Sequence, residues 1–465
     1  MSHVAAPDPE VPHVASVFEG RPMKTFDHIK LSFFWFAFNF VWGAFLGPVL
    51  AQEMSRLAPQ SSAQTLGLLL SLGAIPALLI PLVVGVLSDR CTSKWGRRRP
   101  YMLVGGIMSI GSLGIMYAAS GAKNINLYFV GYFALQFGMN TVLAAYSGII
   151  PDLVPENERG KASGFMGVMS NVATLIAAVG TGLIVKNNPI FVYQVIIVVY
   201  TICLGLSLIA IPETPLQGPV PKINWNKFLG SLWSVLRDNH DFRWVWITRA
   251  LMMVGFYSIS PYITYFLRDQ LLLPNPAATG GIVLGLILVG ATISAIVGGS
   301  LSDKLGRKTI VYWSTGIIGT MALAFILAHS LIVAIVFGII FGIGYGAYIS
   351  VDWALGADTL PDKRAAAKDM AVWHIAMVLP QQVGPLIAGK VLSTMPVSDH
   401  VALSRQVGDF REGFISAMQG RAGGIVDLAN SPERYMPFGF AIIFVFAAVC
   451  FYLSGYLLKN IRGVK

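Results

Sequence analysis

Two loops constrain this chain more than any other feature. Ser88–Pro100 reads SDRCTSKWGRRRP and lies between long apolar runs. In the other half of the chain Ser302–Lys308 reads SDKLGRK, again between apolar runs. An Asp, a Gly and a basic cluster therefore recur at matching places. A repeat of this kind marks a duplicated architecture. A duplicated chain embedded in lipid has the organisation of a transporter.

The lipid follows from composition. Hydrophobic residues make up 55% of the chain and charged residues 12%, against about 25% charged in soluble domains. So apolar a chain has no solvent but a bilayer for most of its surface. Runs of about 20 apolar residues cross a hydrocarbon layer of about 30 Å. They must be helical, because lipid offers no partner to backbone N–H and C=O groups. Twelve such runs are expected, near 29–52, 65–87, 101–120, 126–150, 161–185, 190–211, 245–267, 279–301, 309–328, 331–356, 369–393 and 436–458. Residues 1–25 are polar and contain proline, so no cleavable leader is expected.

The net charge of +10 invites a nucleic-acid reading, which its distribution rejects. Arg90, Lys94, Arg97, Arg98 and Arg99 share one short loop. Lys222, Lys227, Arg237 and Arg243 lie in the central linker. Lys304, Arg307, Lys308, Lys363, Arg364 and Lys368 fill two further loops. All fall on one side of a twelve-span count. The short loops of the other side offer little beyond Arg56, Lys123, Lys186 and Arg268. By the positive-inside rule the rich side is cytoplasmic and both termini join it. Cys91, Cys203 and Cys450 are scattered, with neither disulfide nor metal spacing, and no cofactor is expected.

Residues 212–243 form the long polar stretch in the middle. They open with PETPLQGPVP and continue into the mixed segment INWNKFLGSLWSVLRD. The expected organisation is a tail (1–28), a six-helix bundle (29–211), a linker along the inner membrane face (212–244), a second bundle (245–458) and a short tail (459–465). Residues 394–435 would form an external loop, to which no function is assigned. A second repeat supports the first: PDLVPENERGKASG from Pro151 is echoed by ADTLPDKRAAAKDM from Ala357. Asp152 matches Asp358, and Arg159 matches Arg364 with one residue dropped. Small-residue-rich spans follow, which lets helices approach closely.

These motifs resemble a known family. The Asp–Gly–Arg–basic loops after the second and eighth spans resemble the signature loop of the major facilitator superfamily. The longer form SDRCTSKWGRRRP resembles the loop of plant sucrose carriers and their relatives in the glycoside–pentoside–hexuronide cation symporter group. PDLVPENERGKA and WHIAMVLPQ (Trp373–Gln381) are similar to bacterial members of that group. The resemblance implies an all-α membrane protein with twelve transmembrane helices in two pseudo-symmetric six-helix bundles. It implies alternating access by rocking of one half against the other. It also implies a cytoplasmic gate at Asp89, Arg90, Gly96, Arg97, Arg98, Asp152, Arg159, Asp303, Gly306, Arg307, Asp358 and Arg364. Charged pairs at the water boundary can form and break without burying a naked charge. The same charges also set topology, and the two roles are compatible.

Ionisable residues inside spans are costly and therefore functional candidates. Asp352 sits in the tenth span, about 9 Å deeper than Asp358 along a helix. Arg249 sits just inside the seventh span. A carboxylate whose neutral form is favoured by burial can take up and release a proton, so Asp352 with Arg249 is a candidate proton-coupling site. A static structural pair is the competing reading. His374 in the eleventh span reads as packed rather than as a relay. The resemblance also exposes a departure. Plant sucrose carriers have a coupling Asp in the fourth span, and alignment on Asp152 puts Gln136 there and Ser147 where they have an Arg. Gln cannot titrate. Coupling has therefore moved to Asp352, or the protein is a facilitator.

Sugars combine CH faces with a rim of hydroxyls, so aromatic platforms edged by amides bind them. Candidates are Phe38, Asn39 and Trp42 in the first span, and Gln136 and Asn140 one turn apart in the fourth. Tyr257, Tyr262 and Tyr265 follow in the seventh span, and Trp373, Gln381 and Gln382 in the eleventh. The family's cavity is lined by spans one, four, seven and ten. Asn39, Trp42, Gln136, Asn140, Tyr257 and Gln381 are the substrate-binding set. Each aromatic could equally be packing or an interfacial belt.

The expected function is proton-coupled import of a disaccharide or other glucoside through the cytoplasmic (inner) membrane, by a monomer. Its partners are a small-molecule sugar, a proton and the bilayer. Alternatives are an uncoupled facilitator, exchanger or exporter, and a non-transporting sensor on the same fold. Sensors usually append a signalling tail, and none is expected between the twelfth span and Lys465. No enzyme motif competes: Ser and Gly contexts lack a nucleophile elbow or phosphate loop, and no HExxH pair is present.

Overall fold

The computed structural model describes residues 18, 23–149, 153–155, 159–185, 188–213, 215, 225–273, 275–359, 366–396 and 434–462. Twelve helices in it are long and apolar enough to cross a bilayer. We label them α1 (Thr25–Leu57), α2 (Pro59–Asp89), α3 (Arg99–Gly121), α4 (Ile125–Ser147), α5 (Arg159–Val185), α6 (Pro189–Ala210), α7 (His240–Asp269), α8 (Pro276–Leu305), α9 (Arg307–Leu327), α10 (Leu331–Asp358), α11 (Val372–Ser393) and α12 (Pro437–Asn460). Each expected apolar run falls on one of them. The ends differ where polar residues extend a helix past its hydrocarbon-length core. Thus α1 continues to Leu57, and α7 begins at His240 rather than 245.

The packing repeats the duplication seen in the loops. In the first half α1 packs on α5 and α6, α3 on α4 and α6, and α2 on α4. In the second half α7 packs on α11 and α12, α9 on α10 and α12, and α8 on α10. Adding six to each helix number converts one set into the other. The contacts between halves obey the same rule: α2 meets α11, and α8 meets α5. Small residues make these crossings close. A Cβ on Gly281 of α8 would run into the backbone of Ala178 on α5, the contact that small residues permit in lipid.

Two helices bend where they meet the other half. In α1, Gly47 leaves helical geometry with ψ −115° and Pro48 follows it. Proline supplies no N–H to the preceding turn, which favours a kink there. In α2 the helix breaks between Leu72 and Ala74, at Gly73. The linker holds a separate helix, Trp225–Asp238. Val235 is buried on the protein side while Trp225 and Trp233 are exposed. Tryptophan at that level suits the membrane–water interface.

One end of the bundle carries the basic loops; we call it the basic face. His240 pairs with the Asn460 carbonyl there at 3.1 Å, and the Arg462 N–H donates to Asp241 at 2.9 Å. The start of α7 and the end of α12 are thereby tied together.

Candidate functional site

The site is built at mid-depth. Gln136 stands eleven residues from either end of α4, about 16 Å along a helix. Its Nε2 donates to the Tyr132 hydroxyl at 3.0 Å, and Asn140 Nδ2 donates to Gln136 Oε1 at 3.1 Å. The Gln136–Asn140 spacing puts both amides on one helix face. Trp42 of α1 meets Tyr132 edge-on, with ring centroids 6.4 Å apart. The break in α2 presses on the same group: a Cβ on Gly73 would lie 2.7 Å from Gln136 Nε2. Asn39 is engaged elsewhere, donating to the Trp35 carbonyl at 2.8 Å and to Ser170 Oγ at 2.9 Å.

The second half contributes a matching aromatic–amide pair. Gln381 Nε2 of α11 donates to the Tyr257 hydroxyl of α7 at 2.8 Å. Phe256 stacks on Tyr345 of α10 at 4.3 Å and 11°. The structure thus joins Trp42, Gln136 and Asn140 into one cluster and Tyr257 and Gln381 into another. It leaves Asn39 in a third contact with α5.

Toward the basic face lies the buried ion pair. Arg249 and Asp352 are 1% and 2% exposed, and Arg249 Nη1 donates to Asp352 Oδ2. The Tyr348 hydroxyl donates to Asp352 Oδ1 at 3.1 Å. The Arg249 guanidinium lies over the Trp373 ring, 3.3 Å from its centroid, and Nη2 is 3.6 Å from Met377 Sδ. A cation so held keeps a partner when its carboxylate is neutralised. The pair was legible because ionisable residues inside spans are rare. Its clamp of Tyr348 and Trp373 was not, since α10 carries other aromatic residues and spacing alone does not say which residues of α10 and α11 reach the pair.

The basic loops fold alike. Arg98 Nη1 donates to Ser88 Oγ at 2.7 Å, and Arg307 Nη1 to Ser302 Oγ at 2.9 Å. Arg98 also pairs with Asp89 at 2.5 Å, within the first half. Arg90 reaches its own helix, donating to the Val86 carbonyl at 3.3 Å. Gly96 and Gly306 both have positive φ, 102° and 91°, which side chains with a Cβ rarely adopt. Asp152 and Arg364 lie outside the described residues, as do the side chains of Arg159, Asp303 and Asp358.

Glu213, just past α6, was missed by the sequence reading. Its carboxylate accepts from the Arg98 and Arg99 backbone N–H groups at 3.0 Å, capping the start of α3. A carboxylate there meets the orphan donors and the positive end of the helix. Burial pushes its carboxyl up, against the opposing pull of these N–H groups and the Arg98 and Arg99 charges. A Cβ on Gly96 would lie 2.5 Å from the Glu213 Cβ. Gly96→Ala should therefore lower stability by about 1–2 kcal/mol, read as a fall in melting temperature in detergent. An unchanged melting temperature would contradict the tight loop.

The opposite face holds a seal between the halves. The Tyr262 hydroxyl of α7 is 3.1 Å from the Ala63 carbonyl of α2 and 2.7 Å from the Pro385 carbonyl of α11. The Tyr265 hydroxyl donates to the Ala51 carbonyl at 3.1 Å, and Arg268 Nη1 to Ser55 Oγ at 3.1 Å. The Tyr435 hydroxyl takes the Ala63 N–H at 2.7 Å, while its own N–H donates to Asp269 at 3.2 Å. Glu53, buried and bonded to Arg56 at 2.9 Å, ends α1 beside this layer. Tyr262 and Tyr265, offered above as sugar-facing aromatics, are buried in the seal instead. Their hydroxyls donate to backbone carbonyls of α1, α2 and α11, partners that sequence spacing does not reveal.

A family model described as Major Facilitator Superfamily matches residues 31–385. The chain belongs to the major facilitator superfamily. Among curated proteins, this superfamily member is 34% identical over 139 residues to the sucrose transport protein SUT1 of Oryza sativa subsp. japonica, covering 24% of the chain and 26% of that protein. It is 23% identical over 291 residues to the glucuronide carrier protein homolog of Escherichia coli, covering 59% of the chain and 62% of that protein. The match thus spans about a quarter of the rice protein's length. Among solved structures, the crystal structure of the nucleoside transporter NupG superposes with a TM-score of 0.68 at 11% identity, covering 94% of this chain and 98% of that one. That likeness is one of fold.

Proposed function

We propose that this chain imports a sugar of the disaccharide or glucoside class together with a proton, by alternating access. It does so through the inner membrane, with the basic loops and both termini cytoplasmic. One observation supports the substrate reading: each half holds an aromatic–amide group at mid-depth, Gln136 with Asn140 and Tyr132, against which Trp42 lies edge-on, in one and Tyr257 with Gln381 in the other. Rings cover the CH face of a pyranose, and amides, as donors and acceptors, meet its hydroxyls. Similarity to sucrose transport proteins and to a glucuronide carrier homolog points the same way. The seal at the opposite face corresponds to a state closed to the exterior.

Proton coupling rests on Asp352 and Arg249. A buried carboxylate that can trade a cation for a proton changes the charge of the second half during the cycle. Gln136 favours a second reading, uncoupled facilitation or exchange, because the fourth-span carboxylate of plant sucrose carriers is missing. Counterflow of labelled sucrose, maltose, trehalose and glucose in proteoliposomes tests the substrate class. Saturable counterflow of at least one disaccharide is expected, and no flux of any sugar would overturn it.

A further inference from the structure

Gln382 is a buried amide that neither cluster uses. It is 7% exposed, and among the described residues its side-chain oxygen has no hydrogen-bond partner. Such an orphan is costly and native structures seldom keep one without a purpose. Its backbone carbonyl, by contrast, bridges the halves: Ser71 Oγ of α2 donates to it at 3.0 Å. Two residues beyond Ser71, Gly73 touches Gln136. The break in α2 therefore touches the Gln136 amide of α4 on one side and, through Ser71, the Gln382 backbone of α11 on the other.

Direction follows from helix geometry. Side chains lean toward the N-terminus of their own helix. The α11 helix runs from the basic face to the sealed face, so the Gln382 side chain leans away from the seal. The α4 helix runs the other way, so Gln136 leans up toward it. Both residues are near the middle of their helices.

We propose that Gln382 is a substrate-contacting residue whose side-chain oxygen accepts a hydrogen bond from one sugar hydroxyl, beside the Ser71 bridge. The assignment rests on the sugar-transport reading. It places one hydroxyl of the sugar against the residue that also links α11 to α2, so occupancy is sensed at the closing contact.

The test compares half-saturation for sucrose, maltose and trehalose with that for their monodeoxy analogues, by counterflow in proteoliposomes. The wild-type protein should penalise removal of one particular hydroxyl about ten- to a hundredfold. Gln382→Met, similar in volume, should bring parent and analogue at that position to within about threefold of each other. Gln382→Glu, which keeps an acceptor, should preserve the penalty. If the Met variant does not fold, Gln382→Asn withdraws the amide by one methylene and must lose the same discrimination. A folded Met or Asn variant with wild-type ratios at every hydroxyl overturns the proposal and leaves sugar transport standing. Absence of any sugar flux in the wild-type protein overturns the sugar reading, and this assignment with it.

Discussion

Replacing Asp352 by Asn should abolish uphill sugar accumulation while sugar exchange continues. The carboxylate is buried with Arg249 and Tyr348, where it can be neutral or charged but cannot be solvated. Asn reproduces the neutral form permanently. On the proposed coupling, exchange needs only the sugar and the rocking motion, so counterflow persists, whereas accumulation would need a proton to bind and leave, so it should fall to equilibrium. Removing one partner of a buried pair typically costs about 3–5 kcal/mol. Here the stacking of Arg249 on Trp373 offsets part of that loss, so folded protein is expected. A static pair predicts a different pattern. Neutralising both partners, Asp352→Asn with Arg249→Gln, would then restore stability and proton-driven uptake together. On the coupling account the double variant exchanges sugar and still does not accumulate it.

The second large effect is expected at the sealed face. Gly67 of α2 would place a Cβ 2.7 Å from the Pro385 carbonyl, and Gly389 of α11 would place one 2.6 Å from the Ala63 carbonyl. Both clashes are with backbone, which cannot rotate away. Overpacking of this kind costs about 1–3 kcal/mol, and each 1.4 kcal/mol is a tenfold shift in a population. Gly389→Leu should therefore deplete the sealed state about tenfold or more and slow net transport in proportion, with sugar binding retained. Spin labels at Gln60 and Lys390, in a cysteine-free background, should move apart. Wild-type flux and an unchanged label separation in Gly389→Leu would show that this contact does not hold the sealed face closed.

The fold was legible because hydrophobic length is a property of each span by itself, and the duplicated loops named the symmetry before any helix was placed. Arg249 and Asp352 were legible for a related reason: a charge is conspicuous in an apolar run. The seal was not. Tyr262 and Tyr265 act through carbonyls of residues far away in the chain, and a tyrosine in a span looks the same whether it faces sugar, lipid or the backbone of another helix. Glu213 was hidden because the loop it caps lies more than a hundred residues earlier. Gln382 was one amide among several; what sets it apart from the others in the site is a side-chain oxygen with no hydrogen-bond partner among the described residues, which sequence spacing does not reveal. Gln136 and Asn140 were paired correctly by helical spacing, whereas the bond of Asn39 to Ser170 needed the packing of α1 on α5.

The most direct test of the account is sugar uptake into proteoliposomes with and without an imposed inward proton gradient, using whichever disaccharide shows counterflow. The account predicts accumulation above the external concentration that collapses when the gradient is dissipated. Equilibration at the same level and rate in both conditions would contradict proton coupling, and would make Gln136 the mark of a facilitator.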